Sequence, residues 1–136
     1  MLGKAQLTAF LASTDARRTR AFYRKTLGLR LLSEDTFALV FSCNGTPLRI
    51  QKVESFTPHP FTALGWHVRD IRRTVRALAR RHVVFQRYPF LEQDDDALWT
   101  APSGTRVAWF KDPDDQLLSL SQGPARRPRR HSAPIR

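Results

Sequence analysis

The chain predicts an α+β protein in which one βαβββ unit is used twice. Three observations carry this. Asp15 and Asp70 each stand just before a stretch with helical apolar spacing, and they lie 55 positions apart. Asp is a preferred N-cap because its side chain accepts a hydrogen bond from a free amide of the first turn. After each helix come short stretches in which apolar and polar residues alternate, as in half-buried strands. The third observation is a matching turn in each half, Asn44-Gly45 and Asp112-Pro113-Asp114-Asp115. Asn-Gly suits a two-residue hairpin; proline fixes φ and Asp bonds back to its own backbone in the acidic turn.

Residues 5–12 predict the first strand. Thr14-Asp15 opens a helix over 16–27, with Ala21, Phe22 and Leu27 apolar among Arg17, Arg18, Arg20, Arg24 and Lys25. Gly28 is its C-cap. Strands are expected at 29–33, 37–42 and 47–53. Residues 54–61, with Pro58 and Pro60, read as a linker. The pattern then restarts with a strand at 63–69 and a helix from Asp70 to about His82, whose buried stripe is Ile71, Val75 and Leu78. Strands follow at 83–87, 97–100, 106–111 and 117–122. In the last, Leu118 and Leu120 alternate with Ser119 and Ser121. Residues 1–122 are thus read as one domain of two units, about 5–54 and 62–122. Residues 123–136 are rich in Pro and Arg without periodicity, a basic tail expected to be disordered.

With 136 residues and 41% hydrophobic content, the chain can bury one core. No apolar run approaches the ~18 residues of a membrane span. The opening MLGKAQLTAF lacks the basic-then-apolar layout of a secretory signal. Cys43 stands alone, so no internal disulfide forms, which fits a reducing, cytoplasmic location. The net charge is +11, and removing Arg126, Arg127, Arg129, Arg130 and Arg136 leaves +6. Such a balance attracts polyanions, so nonspecific contact through the tail is expected. Arg69, Arg72, Arg73, Arg76, Arg80 and Arg81 on the second helix keep a nucleic-acid-associated module as an alternative, although no nucleic-acid motif accompanies them. Glu92, Asp94, Asp95 and Asp96 match no calcium loop and read as a solvated loop facing the arginine-rich helices. The sequence has no phosphate-binding glycine loop, no Gly-x-Ser-x-Gly elbow and no zinc-type spacing.

Ala21-Phe22-Tyr23-Arg24-Lys25-Thr26-Leu27-Gly28-Leu29 and Trp109-Phe110-Lys111-Asp112-Pro113-Asp114 together resemble the vicinal oxygen chelate superfamily. This is the group of glyoxalase I, bleomycin-resistance proteins and extradiol dioxygenases, and the match covers about residues 5–122. The resemblance implies two units wrapped into an open, cup-shaped barrel with helices outside. In the group's enzymes, His and Glu from four strands hold a divalent metal in the cup. Carried onto this chain, those positions fall on Thr8, Gln51, Ala63 and Ser119. None is a good ligand, and a one-residue shift brings in no His or carboxylate. The expectation is therefore no metal at the usual place and no cofactor. A homodimer is expected, because single-module members of the group usually pair.

Strand alternation then assigns the facing. Thr8, Phe10, Ala12, Arg49, Gln51, Val53, Ala63, Gly65, His67, Leu117, Ser119 and Ser121 point to the cup. Leu7, Ala9, Leu11, Leu48, Ile50, Leu64, Trp66, Val68, Leu118 and Leu120 point to the helix-side core. Phe10, Arg49, Gln51, His67, Ser119 and Ser121, with Trp99, Trp109 and Phe41 as aromatic surface, make a candidate small-molecule pocket. Arg49 favours an anionic ligand through a bidentate contact. Cationic drugs of the bleomycin type are a poor fit. His67 is a candidate general base or hydrogen-bond donor, and an enzymatic alternative (lyase, isomerase or dioxygenase-type) would use His67 or a non-standard metal site. His59 and His82 receive no role, and Cys43 reads as an inert thiol. The expected function is metal-free binding of a small molecule.

Overall fold

The computed structural model of the chain describes residues 1–125. The two Asp caps form as the sequence demands. Asp15 and Asp70 lie in extended conformation and accept from the amides of Arg18 and Arg73, each at 3.1 Å. They open α1 (Ala16–Ala21) and α2 (Ile71–Arg80). The helix expected over 16–27 changes pitch halfway: Phe22–Thr26 is a π turn, closed by Leu27 N–H on the Phe22 carbonyl at 2.9 Å. Gly28 ends it at φ 77°, where a Cβ would be strained. Among the described residues, no helix is long and apolar enough to cross a membrane.

The eight strands are β1 (Ala9–Ser13), β2 (Arg30–Glu34), β3 (Ala38–Cys43), β4 (Thr46–Lys52), β5 (Leu64–His67), β6 (Trp99–Thr100), β7 (Arg106–Lys111) and β8 (Leu117–Gln122). They form two four-stranded sheets of identical order, β1-β4-β3-β2 and β5-β8-β7-β6. β1 runs parallel to β4 and β5 parallel to β8; the remaining pairs are antiparallel. This is a duplicated βαβββ unit, and neither sheet closes into a barrel.

Two strand expectations are corrected. The first strand begins at Ala9, not at residue 5: Leu2–Lys4 is a short 3-10 turn, and the ladder to β4 opens at the Ala9–Leu48 pair. Leu7 is therefore 70% exposed instead of belonging to the core. Residues 83–87 form no strand. Phe85 makes one isolated bridge to Phe110, and Val84 is exposed. The Gln93 side chain takes the place of a neighbouring strand, donating to the Gln86 and Ala97 carbonyls and accepting from the Tyr88 amide.

The helix-side faces of both sheets feed one apolar cluster. Leu11, Leu39, Phe41, Leu48 and Ile50 come from the first half, and Ile71, Val75, Phe110, Leu118 and Leu120 from the second. Full burial of one such side chain contributes about 1.5–3 kcal/mol. Phe41 is fully buried here and does not serve as pocket surface. A polar seam reinforces the junction between halves. Gln116 donates to the Ala12 carbonyl at 2.8 Å and accepts from its amide at 3.1 Å, so the β7–β8 turn occupies part of the free edge of β1. Tyr23 donates from its hydroxyl to Asp112 Oδ2 at 2.7 Å, inside the protein.

Candidate ligand-binding site

Each sheet leaves the face away from the core open. On the first, Phe10, Arg49 and Gln51 stand on that face, opposite the buried Leu11, Leu48 and Ile50. On the second, the open face carries Gly65, His67, Ser119 and Ser121, set against the buried Leu118 and Leu120. Trp109 pairs with Ser119, Val107 with Ser121, and Trp99 with Val107, so both tryptophans share this face. Trp99 and Trp109 are 6.0 Å apart between ring centroids. Tyr88 meets Trp109 edge-on at 5.6 Å, and Phe90 packs on Tyr88 at 5.4 Å. The sequence reading missed Tyr88 and Phe90 because they lie on an irregular loop that no periodicity marks.

The strand ladders allow the two halves to be compared position by position. Ala9 pairs with Leu48 and Leu64 with Leu118. Ala9 and Leu64 are 55 apart, the interval between the two Asp caps, so Leu48 and Leu118 are equivalent. The counterpart of Ser119 is therefore Arg49, and Gln51 matches Ser121. This moves the second of the four positions read from the sequence by two residues, from Gln51 to Arg49. The corrected set is Thr8, Arg49, Ala63 and Ser119: two hydroxyls, a methyl and a guanidinium. These do not fit a divalent metal, because a fixed cation stands where a ligand would. Among the described residues, no group of three or more His, Cys, Asp and Glu gathers in a way that would hold a metal ion.

Arg49 is partly buried, and among the described residues its side chain makes no hydrogen bond or ion pair. His67 is exposed, and its Nδ1 lies 3.4 Å from Ser121 Oγ, a long contact. Burial pushes the Cys43 thiol up, so it is a poorer nucleophile than a free thiol. Asp94 and Asp96 grip Arg72 at 2.7 and 2.5 Å, and Asp96 also holds Arg76 at 3.1 Å. The acidic loop thus faces the arginine-rich helix as expected. Arg81 donates to the Lys25 and Thr26 carbonyls. Three of the six arginines on or beside the second helix are therefore engaged within the protein, and the five tail arginines lie outside the described residues.

Five cavities among the described residues divide the expected pocket residues: Phe10 and Gln51 line one of them, and Arg49, His67, Ser119, Ser121, Trp99 and Trp109 line none of these five. Phe10 and Gln51 border a cavity of about 460 Å³ closed by the linker between halves, with Phe56, His59 and Phe61 in its wall. The linker's aromatic residues were the available signal, since paired Phe side chains in a surface segment need a reason to be there.

Two βαβββ units of matching strand order, each with an open face, define the fold class. Within it, a model of the Glyoxalase/Bleomycin resistance protein/Dioxygenase superfamily matches residues 5–120. The chain belongs to that superfamily. Among curated proteins, none matches it. Among solved structures, a superfamily member from Sphaerobacter thermophilus DSM 20745 has a TM-score of 0.70 at 20% identity, covering 90% of this chain and 99% of that one. Lactoylglutathione lyase from Agrobacterium tumefaciens has a TM-score of 0.68 at 15% identity, covering 88% and 94%. A glyoxalase/bleomycin resistance protein/dioxygenase from Alicyclobacillus acidocaldarius has a TM-score of 0.65 at 16% identity, covering 88% and 92%. At such identities the likeness establishes the fold.

Proposed function

We propose that this protein is a metal-free, small-molecule-binding member of the superfamily, and that its ligand carries an anionic group met by Arg49. The observation behind this is the equivalence of Arg49 and Ser119 across the two halves. A partly buried guanidinium that makes no hydrogen bond or close ion pair among the described residues is ready to form a bidentate pair with a carboxylate or phosphate. Trp99, Trp109 and Tyr88 offer a flat apolar wall, while Ser119, Ser121 and His67 offer hydroxyl and imidazole groups. Because these residues lie on a different sheet from Arg49, the proposal includes a homodimer in which open faces of two copies complete the cup. The enzymatic alternative has less support: the His67–Ser121 contact is long, and among the described residues no carboxylate bonds the ring to orient it as a base.

Calorimetric titration with benzoate and phenyl phosphate tests the reading. Arg49→Ala should weaken binding by about tenfold or more, roughly 1.4 kcal/mol or above. Equal affinity in the variant would sink the Arg49 assignment. A stoichiometric transition metal that co-purifies and is lost with His67→Ala would overturn the metal-free claim. Light scattering that finds only monomer at micromolar concentration would remove the dimer.

A further inference from the structure

The cavity at the linker combines aromatic walls with uncharged polar groups: in a chain of net charge +11, its lining among the described residues holds Gln51, His59 and Gln116 but no Lys, Arg, Asp or Glu. Its volume of about 460 Å³ falls in the range of small-molecule sites, roughly 300–1,000 Å³. Phe10 and Phe61 stand at its wall 56% and 59% exposed, leaving apolar ring surface open to water. His59 lies almost flat on Phe61, at 5.0 Å between centroids and 13° between planes, making a preformed platform. Polar groups are few and differ in availability. Gln116 spends its amide on Ala12 and on Asp112, which fixes the floor. Gln51 is exposed, and among the described residues its amide makes no hydrogen bond, leaving a donor and an acceptor at the wall.

We propose that this cavity is a binding site for an uncharged, planar aromatic molecule carrying an amide-like edge. The ring packs between Phe10 and the His59–Phe61 platform, and Gln51 exchanges hydrogen bonds with the polar edge. An uncharged lining selects against ions, because a charge moved into it loses hydration without gaining a partner. Offset packing on two or more aromatic rings supplies attraction beyond the area buried. The site does not depend on Arg49, which is absent from its lining.

Saturation-transfer NMR and titration with benzamide, benzoate and benzylamine at fixed ionic strength make the test. Benzamide should bind about tenfold more tightly than benzylamine, the difference expected when a charge must be desolvated without a partner, while benzoate reports on the Arg49 site. Phe61→Ser, at an exposed position with little effect on folding, should reduce benzamide affinity by roughly threefold to tenfold, the range of an aromatic contact. Gln51→Leu should weaken benzamide while leaving indole less affected, and Arg49→Ala should leave both unchanged. The proposal is overturned if benzamide shows no saturation transfer. It also fails if benzylamine binds equally well, or if Phe61→Ser and His59→Ala leave the affinity intact. A parallel loss of benzamide and benzoate in Arg49→Ala would assign both to the open-face site instead.

Discussion

Asp112 was legible as a turn residue, and in that role it behaves as read. Its Oδ1 accepts from the amides of Asp114 and Gln116 at 2.9 and 3.0 Å. Its other oxygen has a role that no local pattern announces. Oδ2 accepts from the Tyr23 hydroxyl, 89 residues away, and from Gln116 Nε2. Asp112 is only 4% exposed, and burial pushes its carboxyl above the usual range despite the bonds that favour the charged form. Tyr23 is raised well above its ordinary value, first by burial and then by the Asp112 charge. Removing the hydroxyl in Tyr23→Phe should cost about 2 kcal/mol, since a buried, charged acceptor loses a donor. The pH dependence follows from the sign of the Asp112 shift. A raised carboxyl binds its proton more tightly in the folded state, so its contribution is full below about pH 3.9 and is lost as pH rises through the folded value. Urea denaturation between pH 3 and 7 should therefore show the wild type gaining on Asp112→Asn as pH falls. A gap that moves the other way would contradict the buried, uphill carboxyl.

Among the elements, those with a complete period were readable and those held by side chains were not. β7 and β8 fell where alternation placed them, and both Asp caps opened helices. Residues 83–87 have the composition of a strand, yet Gln93 satisfies the backbone there, and nothing in local composition foretells a side-chain amide acting as a neighbouring strand. The four-position site was half legible for a similar reason. Thr8 and Ala63, one residue before β1 and β5, and Ser119 on β8 were read from spacing to the Asp caps and the acidic turn, whereas on β4 the actual register separates Arg49 from Gln51. β2 depends on a charged tie that is testable. Glu34 accepts from Arg20 of α1 at 2.7 and 2.8 Å and from Lys52 of β4 at 2.9 Å. The hydrogen bonds from these two cations hold its carboxyl down at about 2, from an ordinary 4.5. A depressed carboxyl contributes stability that is present above 4.5 and lost as pH falls toward 2. Solvent reaches this cluster, so the contribution is about 1 kcal/mol, well under what the shift alone suggests. Glu34→Gln should lower stability by that amount at pH 7 and at low ionic strength, with the difference shrinking in acid and in high salt. A difference independent of pH would mean that the side chain matters through packing alone.

The molecule as a whole repeats itself in sequence pattern but does not divide into two cores. One apolar cluster draws on both sheets, Phe22 reaches Phe110 at 6.4 Å, and Gln116 bonds the backbone of β1 from the far end of the chain. A unit that shares its core this way should unfold as one, because neither half keeps a covered apolar face without the other. All three tryptophans, Trp66, Trp99 and Trp109, lie in the second half, so fluorescence reports on that half while far-UV circular dichroism reports on both. Leu39, fully buried on β3 of the first half, provides the perturbation. Leu39→Ala should cost about 2–5 kcal/mol through lost burial and the cavity left behind. If the halves are coupled, the tryptophan-reported transition shifts by that full amount and stays superimposed on the circular dichroism curve. Two separated transitions, with the fluorescence midpoint unmoved by a change in the other half, would show that the duplication has left two independent domains. The shared core argues against that outcome, since Leu39 and Phe110 belong to the same buried cluster and cannot lose their surroundings separately.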